Sequence, residues 1–207
     1  MKHVRVYEQY IKRFLDVFFA LLALPFLVLI AVFVIPLIWL EDSGPILYIA
    51  KRRGLNGKIF NMYKLRSMKV NAPDIRNKDN STFSSNDDPR VTRVGRFLRR
   101  SSIDELPQII NVLKGDMSWI GPRPTTTDRP LEEYDQIRLE RLKVKPGITG
   151  YTQAYYRNNI PQDEKFKFDV EYAKNVSFIL DCKIVFKTIQ TVLFGRNLYT
   201  NEGGETK

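Results

Sequence analysis

The sequence predicts an α+β, mostly α-helical protein with an N-terminal re-entrant membrane helix, a small β-hairpin and amphipathic interface helices. Three observations support this fold class. The uncharged run 17–40 is longer than the roughly 20 residues that a helix needs to cross a hydrocarbon core. Two β-prone segments follow it, with turn residues between them. The apolar residues of the later segments recur mainly at helical spacing.

The apolar run is interpreted as re-entrant because of its flanks and its proline. Lys12 and Arg13 precede it and the basic segment 51–53 follows it. Basic flanks belong on the cytoplasmic side, so a spanning helix would break this tendency at one end. Pro25 removes a backbone donor and kinks or breaks a helix. We therefore assign residues 1–42 to a re-entrant helix with its basic flank, and a kinked spanning helix remains the alternative.

The rest of the chain is assigned to one domain over 43–200 and a disordered tail over 201–207. Its elements are predicted from apolar spacing, turn residues and helix-ending glycines. In order they are a hairpin over 45–68 around the turn 54–57, a surface loop over 71–89, a helix over 91–100, a helix over 102–114 ended by Gly115, a helix over 131–142 and a C-terminal helix over 177–194.

The C-terminal helix has a broad apolar face that includes Phe178, Cys182 and Phe186. Such a helix can pack on the core or lie in the plane of the lipid headgroups. We favour the core, which is the commoner arrangement, while the membrane run keeps the second alternative open. Cys182 falls in this apolar pattern and is expected to be an inert core residue. Because it is the one cysteine of the chain, an intramolecular disulfide is excluded.

Composition limits the chemistry that the chain can perform. It has 207 residues, with 33 Lys and Arg against 23 Asp and Glu, a formal charge of +10. This excess favours anionic partners such as nucleic acid, anionic lipids or phosphorylated small molecules. His3 is the only histidine, which excludes His-based triads and His-rich zinc sites. Carboxylates, lysines and hydroxyls must therefore do any acid–base or nucleophilic work.

Two adjacent carboxylates, Asp104 and Glu105, follow an arginine cluster at the start of a predicted helix. Ser102 and Glu105 match a capping box, which taken alone is the commoner meaning of this pattern. An aspartate can also attack a phosphoryl group and carry it covalently. That reaction needs cations on the phosphate oxygens, and Arg99 and Arg123 lie nearby in the sequence. A carboxylate can also hold Mg²⁺.

Six motifs extend across most of the chain. They lie at 63–68 (YKLRSM), 88–96 (DPRVTRVGR), 102–108 (SIDELPQ), 111–118 (NVLKGDMS), 121–124 (GPRP) and 145–150 (KPGITG). With these motifs the chain resembles the monotopic polyprenyl-phosphate phosphoglycosyl transferases, the bacterial sugar transferase family, in their minimal catalytic-unit form.

The resemblance implies transfer of a sugar 1-phosphate from a UDP-sugar to undecaprenyl phosphate through a covalent aspartyl-phosphosugar, with release of UMP. This is the first membrane step in the assembly of a surface glycan or glycoconjugate. It implies a monotopic protein of the bacterial inner membrane, with 43–200 as a catalytic domain on the cytoplasmic face. The implied partners are donor, acceptor and membrane lipids, without nucleic acid, and a homodimer is left open.

The resemblance also implies roles for individual residues. Asp104 corresponds to the aspartate that carries the phosphosugar, and Glu105 to a partner required for activity as a base or in positioning. Mg²⁺ is expected beside Asp104, and Asp104 would be its ligand. The family's helix breaks at a Ser-Pro pair, which corresponds to Leu24-Pro25 here, so the capping serine is missing. Basic contacts to phosphate or nucleotide are expected from Lys64 or Arg66, Arg99, Arg123 and Arg157.

One further departure and two rival functions follow from the residues. Tyr155-Tyr156 replaces the family's usual Asn-Gly, which points to a different sugar preference if this loop touches the donor. A membrane-tethered nucleic-acid binder could use the arginines of 90–100, although it leaves the acidic pair unexplained. A non-catalytic scaffold could merely display the C-terminal helix. Only the enzyme predicts that Asp104→Asn abolishes turnover while membrane association persists.

Overall fold

The computed structural model describes residues 6–75, 88–156 and 160–193, with side chains as far as 191. It confirms a mostly helical α+β fold with a long apolar N-terminal helix and a hairpin, and it adds a second pair of short strands. The tail predicted over 201–207 and most of the predicted loop 71–89 lie outside the described residues. The elements are α1 (Lys12–Glu41), β1 (Leu47–Arg53), β2 (Ile59–Leu65), α2 (Arg93–Ser101), α3 (Gln108–Lys114), β3 (Ser118–Ile120), α4 (Gln136–Arg141), β4 (Gly147–Thr149), α5 (Tyr151–Tyr155), α6 (Gln162–Lys174) and α7 (Phe178–Leu193).

Helix α1 is long and apolar enough to cross a membrane. Pro25 and Pro36 lie inside it, and the helix continues without interruption from Lys12 to Glu41. The helix therefore does not end at Pro25, where the sequence predicted a break. A proline removes one backbone donor, and the hydrogen bonds of the neighbouring turns continue on either side of it.

One face of α1 packs against the rest of the chain and the other is exposed. Ala20 is buried in a cluster with the hairpin and α3. Further along, Val34 and Ile38 pack with Leu65 and Leu98 in a second cluster. The small side chain of Ala20 allows the close approach of α3. Large apolar side chains cover the exposed face, among them Phe14, Phe26, Val32, Phe33 and Leu40.

Hydrogen bonds attach both ends of α1 to the same domain. Near its start, Arg13 donates to the carbonyls of Val112 and Leu113 at 2.6 and 2.9 Å, where α3 ends. At its end, the Glu41 carboxylate accepts from the first two backbone N–H groups of α2, at 2.6 and 2.8 Å. These contacts complement the charges of helix termini, because a cation binds carbonyls and a carboxylate binds amides.

The predicted hairpin is confirmed. Strands β1 and β2 pair antiparallel, from Leu47 opposite Leu65 to Arg53 opposite Ile59. Asn56 is one of the few non-glycine residues with positive φ, at 54°, which the tight turn requires. The hairpin places the end of β2 beside the segment that joins α2 to α3, where the acidic pair lies.

A second, parallel pair of strands was not predicted. Strands β3 and β4 have three residues each, too few for an alternating pattern to be recognised. Gly147 lies opposite Ser118, and a Cβ added to Gly147 would lie 2.1 Å from the backbone nitrogen of Gly121. The glycines of the last two motifs therefore allow two backbone segments to approach closely.

The helix over 91–100 is confirmed as α2, whereas two longer predictions are divided. The segment 102–114 contains a 3₁₀ turn at Ile103–Glu105 and then α3, which starts after Pro107. Proline has no N–H for a helix interior and favours the first turn. The segment 131–142 contains a 3₁₀ turn and then α4, which begins where Asp135 accepts a hydrogen bond from the backbone of Arg138. Helices α5 and α6 were not predicted.

The C-terminal helix is confirmed as α7, but its orientation is opposite to the one favoured above. Phe178 and Phe186 are exposed, the latter by 72%, and Cys182 is exposed rather than in the core. The buried side contains Asp181 and Ile184. Asp181 is held by hydrogen bonds from Tyr7, Lys12 and Tyr172. This polar network, together with the packing of Ile184 and Leu180 in a core cluster, fixes the helix on the domain through the side opposite to the predicted apolar face.

Candidate active site

The acidic pair lies in the turn between α2 and α3 rather than at the start of one long helix. Ser102 has a φ of 58° and ends α2, and its side chain makes no capping hydrogen bond to the following turn. The capping-box interpretation is therefore wrong. The Glu105 carboxylate instead lies 2.6 Å from Lys64 Nζ and 3.6 Å from an Arg123 guanidinium nitrogen.

Asp104 is the buried member of the pair, with 8% of its surface exposed. Its burial raises the pKa of Asp104 to about 6, because a carboxylate loses its hydration there. The charge of Lys64 lowers this pKa, the charge of Glu105 raises it, and Arg99 and Arg123 lower it further. At neutral pH Asp104 is thus a poorly hydrated carboxylate among three cations.

Each of the three cations reaches the pair from a different element. Lys64 comes from β2 and is bound to Glu105. Arg99 lies in the last turn of α2, where its Nε donates to Ser67 Oγ at 2.9 Å. Arg123 follows β3 and its side chain is 59% exposed, so its guanidinium can contact a bound molecule as well. The structure places these three residues beside the acidic pair.

Arg66 is not brought to the acidic pair. Its Nε donates to the Pro45 carbonyl at 2.6 Å, and its other two nitrogens contact the carboxylate and carbonyl of Asp42. The side chain is buried and joins β2 to the end of α1. Of the two alternatives raised from the sequence, Lys64 is therefore the one beside the site. Arg157 lies outside the described residues.

Asn111 is a site-supporting residue for which the sequence suggested no role. Its side chain is fully buried, donates to the Asn61 carbonyl at 2.7 Å and accepts from the Tyr63 N–H at 3.1 Å. These bonds fix α3 against β2, the strand that carries Lys64. A buried asparagine in a motif was the available signal, because buried amides are usually hydrogen-bonded.

A second supporting contact explains one motif. Asp88 is buried and its carboxylate accepts from Arg90 Nε at 2.9 Å and from another guanidinium nitrogen at 2.7 Å. The backbone of the same arginine accepts from the Lys69 N–H at 2.8 Å. The pair therefore anchors the segment that leads into α2, the helix that presents Arg99.

The donor set suits phosphate chemistry assisted by Mg²⁺. In the described part of the chain, no group of three or more His, Cys, Asp or Glu side chains could hold a metal by itself. Mg²⁺ is usually bound by one or two carboxylates together with substrate phosphates and water. Asp104 and Glu105 fit that smaller requirement. The three cations fit the remaining phosphate oxygens.

Comparison with known proteins gives a family match over most of the chain. The family model described as bacterial sugar transferase matches residues 7–195. The chain is 44% identical over 204 residues to galactosyl transferase CpsE of Streptococcus agalactiae serotype III (strain NEM316). It is 40% identical over 188 residues to the uncharacterized sugar transferase EpsL of Bacillus subtilis (strain 168). It is also 40% identical over 192 residues to a UDP-N-acetylgalactosamine-undecaprenyl-phosphate N-acetylgalactosaminephosphotransferase of Aeromonas hydrophila.

These relatives differ in length. The matches cover 94%, 91% and 90% of this chain. They cover 90% of EpsL but only 45% of CpsE and 44% of the Aeromonas protein. The chain thus spans less than half the length of two of the three relatives.

Proposed function

The chain belongs to the bacterial sugar transferase family, and we propose that it transfers a sugar 1-phosphate from a UDP-sugar to undecaprenyl phosphate, releasing UMP. The observation that carries this proposal is the placement of Asp104, a buried carboxylate with Lys64, Arg99 and Arg123 around it. The name of the Aeromonas relative contains both a UDP-sugar and undecaprenyl phosphate, which supports these substrate classes.

The proposed reaction has two half-reactions at one phosphorus atom. A carboxylate oxygen of Asp104 attacks the β-phosphorus of the donor, a new O–P bond forms, and the bond from that phosphorus to the bridging oxygen breaks. UMP leaves with that oxygen. A phosphate oxygen of undecaprenyl phosphate then attacks the same phosphorus and breaks the bond to Asp104. The products are the lipid diphosphate sugar and the original carboxylate.

The surrounding residues contribute charge and position. Lys64, Arg99 and Arg123 stabilise the negative charge that spreads over the phosphate oxygens, an effect strengthened where water is excluded. Glu105 holds Lys64 in place at 2.6 Å and so acts in positioning. Mg²⁺ held by Asp104 and Glu105 would supply neutralisation of the donor diphosphate when bound.

We further propose a monotopic arrangement on the cytoplasmic face of the bacterial inner membrane. It is supported by the contacts of Arg13 and Glu41, which tie both ends of α1 to one domain. The exposed apolar faces of α1 and α7 support it too, because such faces favour lipid over water. Here a soluble donor and a lipid-borne acceptor could both reach Asp104.

The proposal is tested with detergent-solubilised protein, undecaprenyl phosphate and a panel of UDP-sugars, with and without Mg²⁺. We expect repeated turnover with UMP release from at least one donor, dependent on both lipid phosphate and Mg²⁺, whereas without the lipid only about one equivalent of UMP per protein should be released. Asp104→Asn should abolish it, and Lys58→Gln on the exposed hairpin surface is the matched control that should not. Equal UMP release by Asp104→Asn and wild type would contradict the proposal.

A further inference from the structure

A cavity of about 430 Å³ lies at the start of α1, away from the acidic pair. Its walls come from the helical turn before α1, the start of α1, β3, the segment before β4 and the end of α6. None of the residues assigned to the proposed reaction lines it. The charged residues of its wall are Glu8, Lys12, Arg13, Asp16, Lys143 and Lys145.

The cavity and the acidic pair lie at opposite ends of α3. The pair precedes the first turn of α3, while Arg13 binds the carbonyls of Val112 and Leu113 at its end. Seven helical residues separate these ends by roughly 10 Å. A ligand in the cavity would therefore be a different molecule, or a different part of one, from the group that reacts at Asp104.

Lys145 is the cation of the cavity without a partner. Within the described residues its ammonium group makes no hydrogen bond or ion pair, although the residue is only partly exposed. Burial lowers the pKa of Lys145 and the nearby charge of Arg13 lowers it further, while the charges of Asp16 and Asp116 raise it in part. A bound anion would offset both effects, because it would replace lost hydration and screen the like charges.

The other charges of the wall are held in place. Lys12 is bound to Asp181 at 2.5 Å, and Arg13 is fixed by the two carbonyls of α3. Asp16 accepts hydrogen bonds from Ser118 Oγ and from a backbone N–H, so its carboxylate is already engaged. Glu8 is the other acidic side chain on the wall, and the charges of Glu8, Asp16 and the nearby Asp116 would each weaken anion binding.

We propose that this cavity binds the phosphate group of an anionic phospholipid, with Lys145 as its main contact. Phe14 and Phe18 lie on the exposed face of α1, just after the residues of the cavity wall. Their rings are stacked, with the ring centroids 6.1 Å apart. They would contact the acyl chains of a lipid whose phosphate enters between Arg13 and Lys145. This site does not depend on the proposed transferase activity, since none of the transfer residues takes part.

The test follows ligand binding by the fluorescence of Trp119, which neighbours Ser118 on the wall and whose indole donates to the Asp16 carbonyl. Trp39→Phe removes the other tryptophan of the two in the chain. In this background, detergent-solubilised protein is titrated with dihexanoyl phosphatidylglycerol, inorganic phosphate and dihexanoyl phosphatidylcholine. Binding is compared for Lys145→Gln, the charge-conserving Lys145→Arg, Glu8→Gln and the surface control Lys58→Gln.

We expect saturable binding of phosphatidylglycerol that weakens about tenfold in Lys145→Gln and is largely kept in Lys145→Arg. Glu8→Gln should tighten it about threefold, and Lys58→Gln should leave it unchanged. Saturation by inorganic phosphate with the same dependence on Lys145, but none by phosphatidylglycerol, would overturn a lipid as the source. Equal binding by Lys145→Gln and wild type, or equal losses in Lys145→Gln and Lys58→Gln, would overturn the site itself.

Discussion

Asp104 carries a negative charge at a position that disfavours it. Burial raises its pKa to about 6, so the ionised form present at neutral pH destabilises the folded state. The same charge is what attack on a phosphorus atom requires. Residues that oppose stability in this way are typical of active sites, where function determines the residue.

Asp104→Asn should therefore abolish turnover and stabilise the protein at pH 7 by about 1–3 kcal/mol. Because the folded-state pKa is raised, wild-type stability falls as the pH rises from about 4 to about 6. The difference in unfolding free energy between Asp104→Asn and wild type should grow over that pH range and stay constant above it. Unfolding measured at pH 4 and pH 7 checks this difference.

Asp88 provides a control in which ionisation of the carboxylate should stabilise the folded state rather than destabilise it. The hydrogen bond from Arg90 holds the pKa of Asp88 below its usual range, so the ionised carboxylate stabilises the fold. That contribution is present above the unfolded-state pKa and is lost as the pH falls through the folded-state value. Asp88→Asn should lower stability at pH 7. A stabilised Asp88→Asn together with a destabilised Asp104→Asn would contradict both assignments.

Lys64 lies in β2 and Arg66 directly follows that strand, yet the two side chains serve different purposes. Lys64→Gln should reduce the rate of UMP release by roughly a hundredfold, because a cation beside the reacting phosphate is lost. Arg66→Lys should instead lower the free energy of unfolding by about 2 kcal/mol, because the three hydrogen bonds to Asp42 and Pro45 cannot all be made.

Steady-state rates and thermal unfolding on the same two preparations distinguish these effects. The folded fraction of Arg66→Lys should turn over at close to the wild-type rate. If Arg66→Lys stays fully folded and loses activity as Lys64→Gln does, Arg66 belongs to the site and the geometry above is wrong.

Individual elements show what the sequence could predict. The hairpin was predictable because β-prone residues flank 54–57, where Asn56 and Gly57 adopt positive φ. Gly115, with a φ of 87°, ends α3 as a helix-capping glycine should. The family resemblance grouped Asp104, Glu105, Arg99, Arg123 and Arg157 with either Lys64 or Arg66, without deciding between the last two. The hairpin and the end of α3 depend on local chemistry, which one sequence contains.

Other features depend on contacts between distant residues, which a single sequence does not display. Ser102 and Glu105 match a capping box, yet Glu105 turns to Lys64, 41 positions away. The apolar face of α7 looked like a core face, but Asp181 is bound by Tyr7 from the other end of the chain. Spacing in the sequence cannot reveal which long-range partner wins.

Helix α7 provides a prediction about membrane attachment. Phe186→Asp should weaken binding to lipid vesicles by about tenfold or more, since a large exposed apolar side chain becomes charged. The melting temperature should stay close to that of wild type. Ile184→Ala, on the buried side of α7, should leave vesicle binding close to that of wild type. It should lower the free energy of unfolding by roughly 2–4 kcal/mol. Equal vesicle binding by Phe186→Asp and wild type would remove α7 from the membrane surface.

The whole molecule combines a formal charge of +10 with two exposed apolar helix faces. This combination suits a protein seated at an anionic bilayer surface, where each basic residue near the headgroups contributes about 1 kcal/mol. A nucleic-acid binder would need neither the exposed apolar faces nor a carboxylate buried among its cations. The acidic pair, by contrast, fits a reaction at a lipid-borne phosphate.

The membrane topology of α1 can be tested by cysteine labelling, because a re-entrant helix has both ends on the cytoplasmic side. In a Cys182→Ser background, single cysteines at Tyr10 and Ser43 mark the two ends of α1, and both positions are exposed. A membrane-impermeant maleimide applied to intact cells should label neither cysteine, and both should react after permeabilisation. Labelling of one end alone in intact cells would show that α1 spans the bilayer.

The covalent step on Asp104 is tested most directly by intact-mass measurement of active protein mixed with a productive UDP-sugar in the absence of the lipid acceptor. We expect a mass increase equal to one sugar phosphate, mapped to the peptide that contains Asp104 and lost when undecaprenyl phosphate is added. An active enzyme that never shows this adduct under rapid quench, and whose Asp104→Asn variant still turns over, would contradict it.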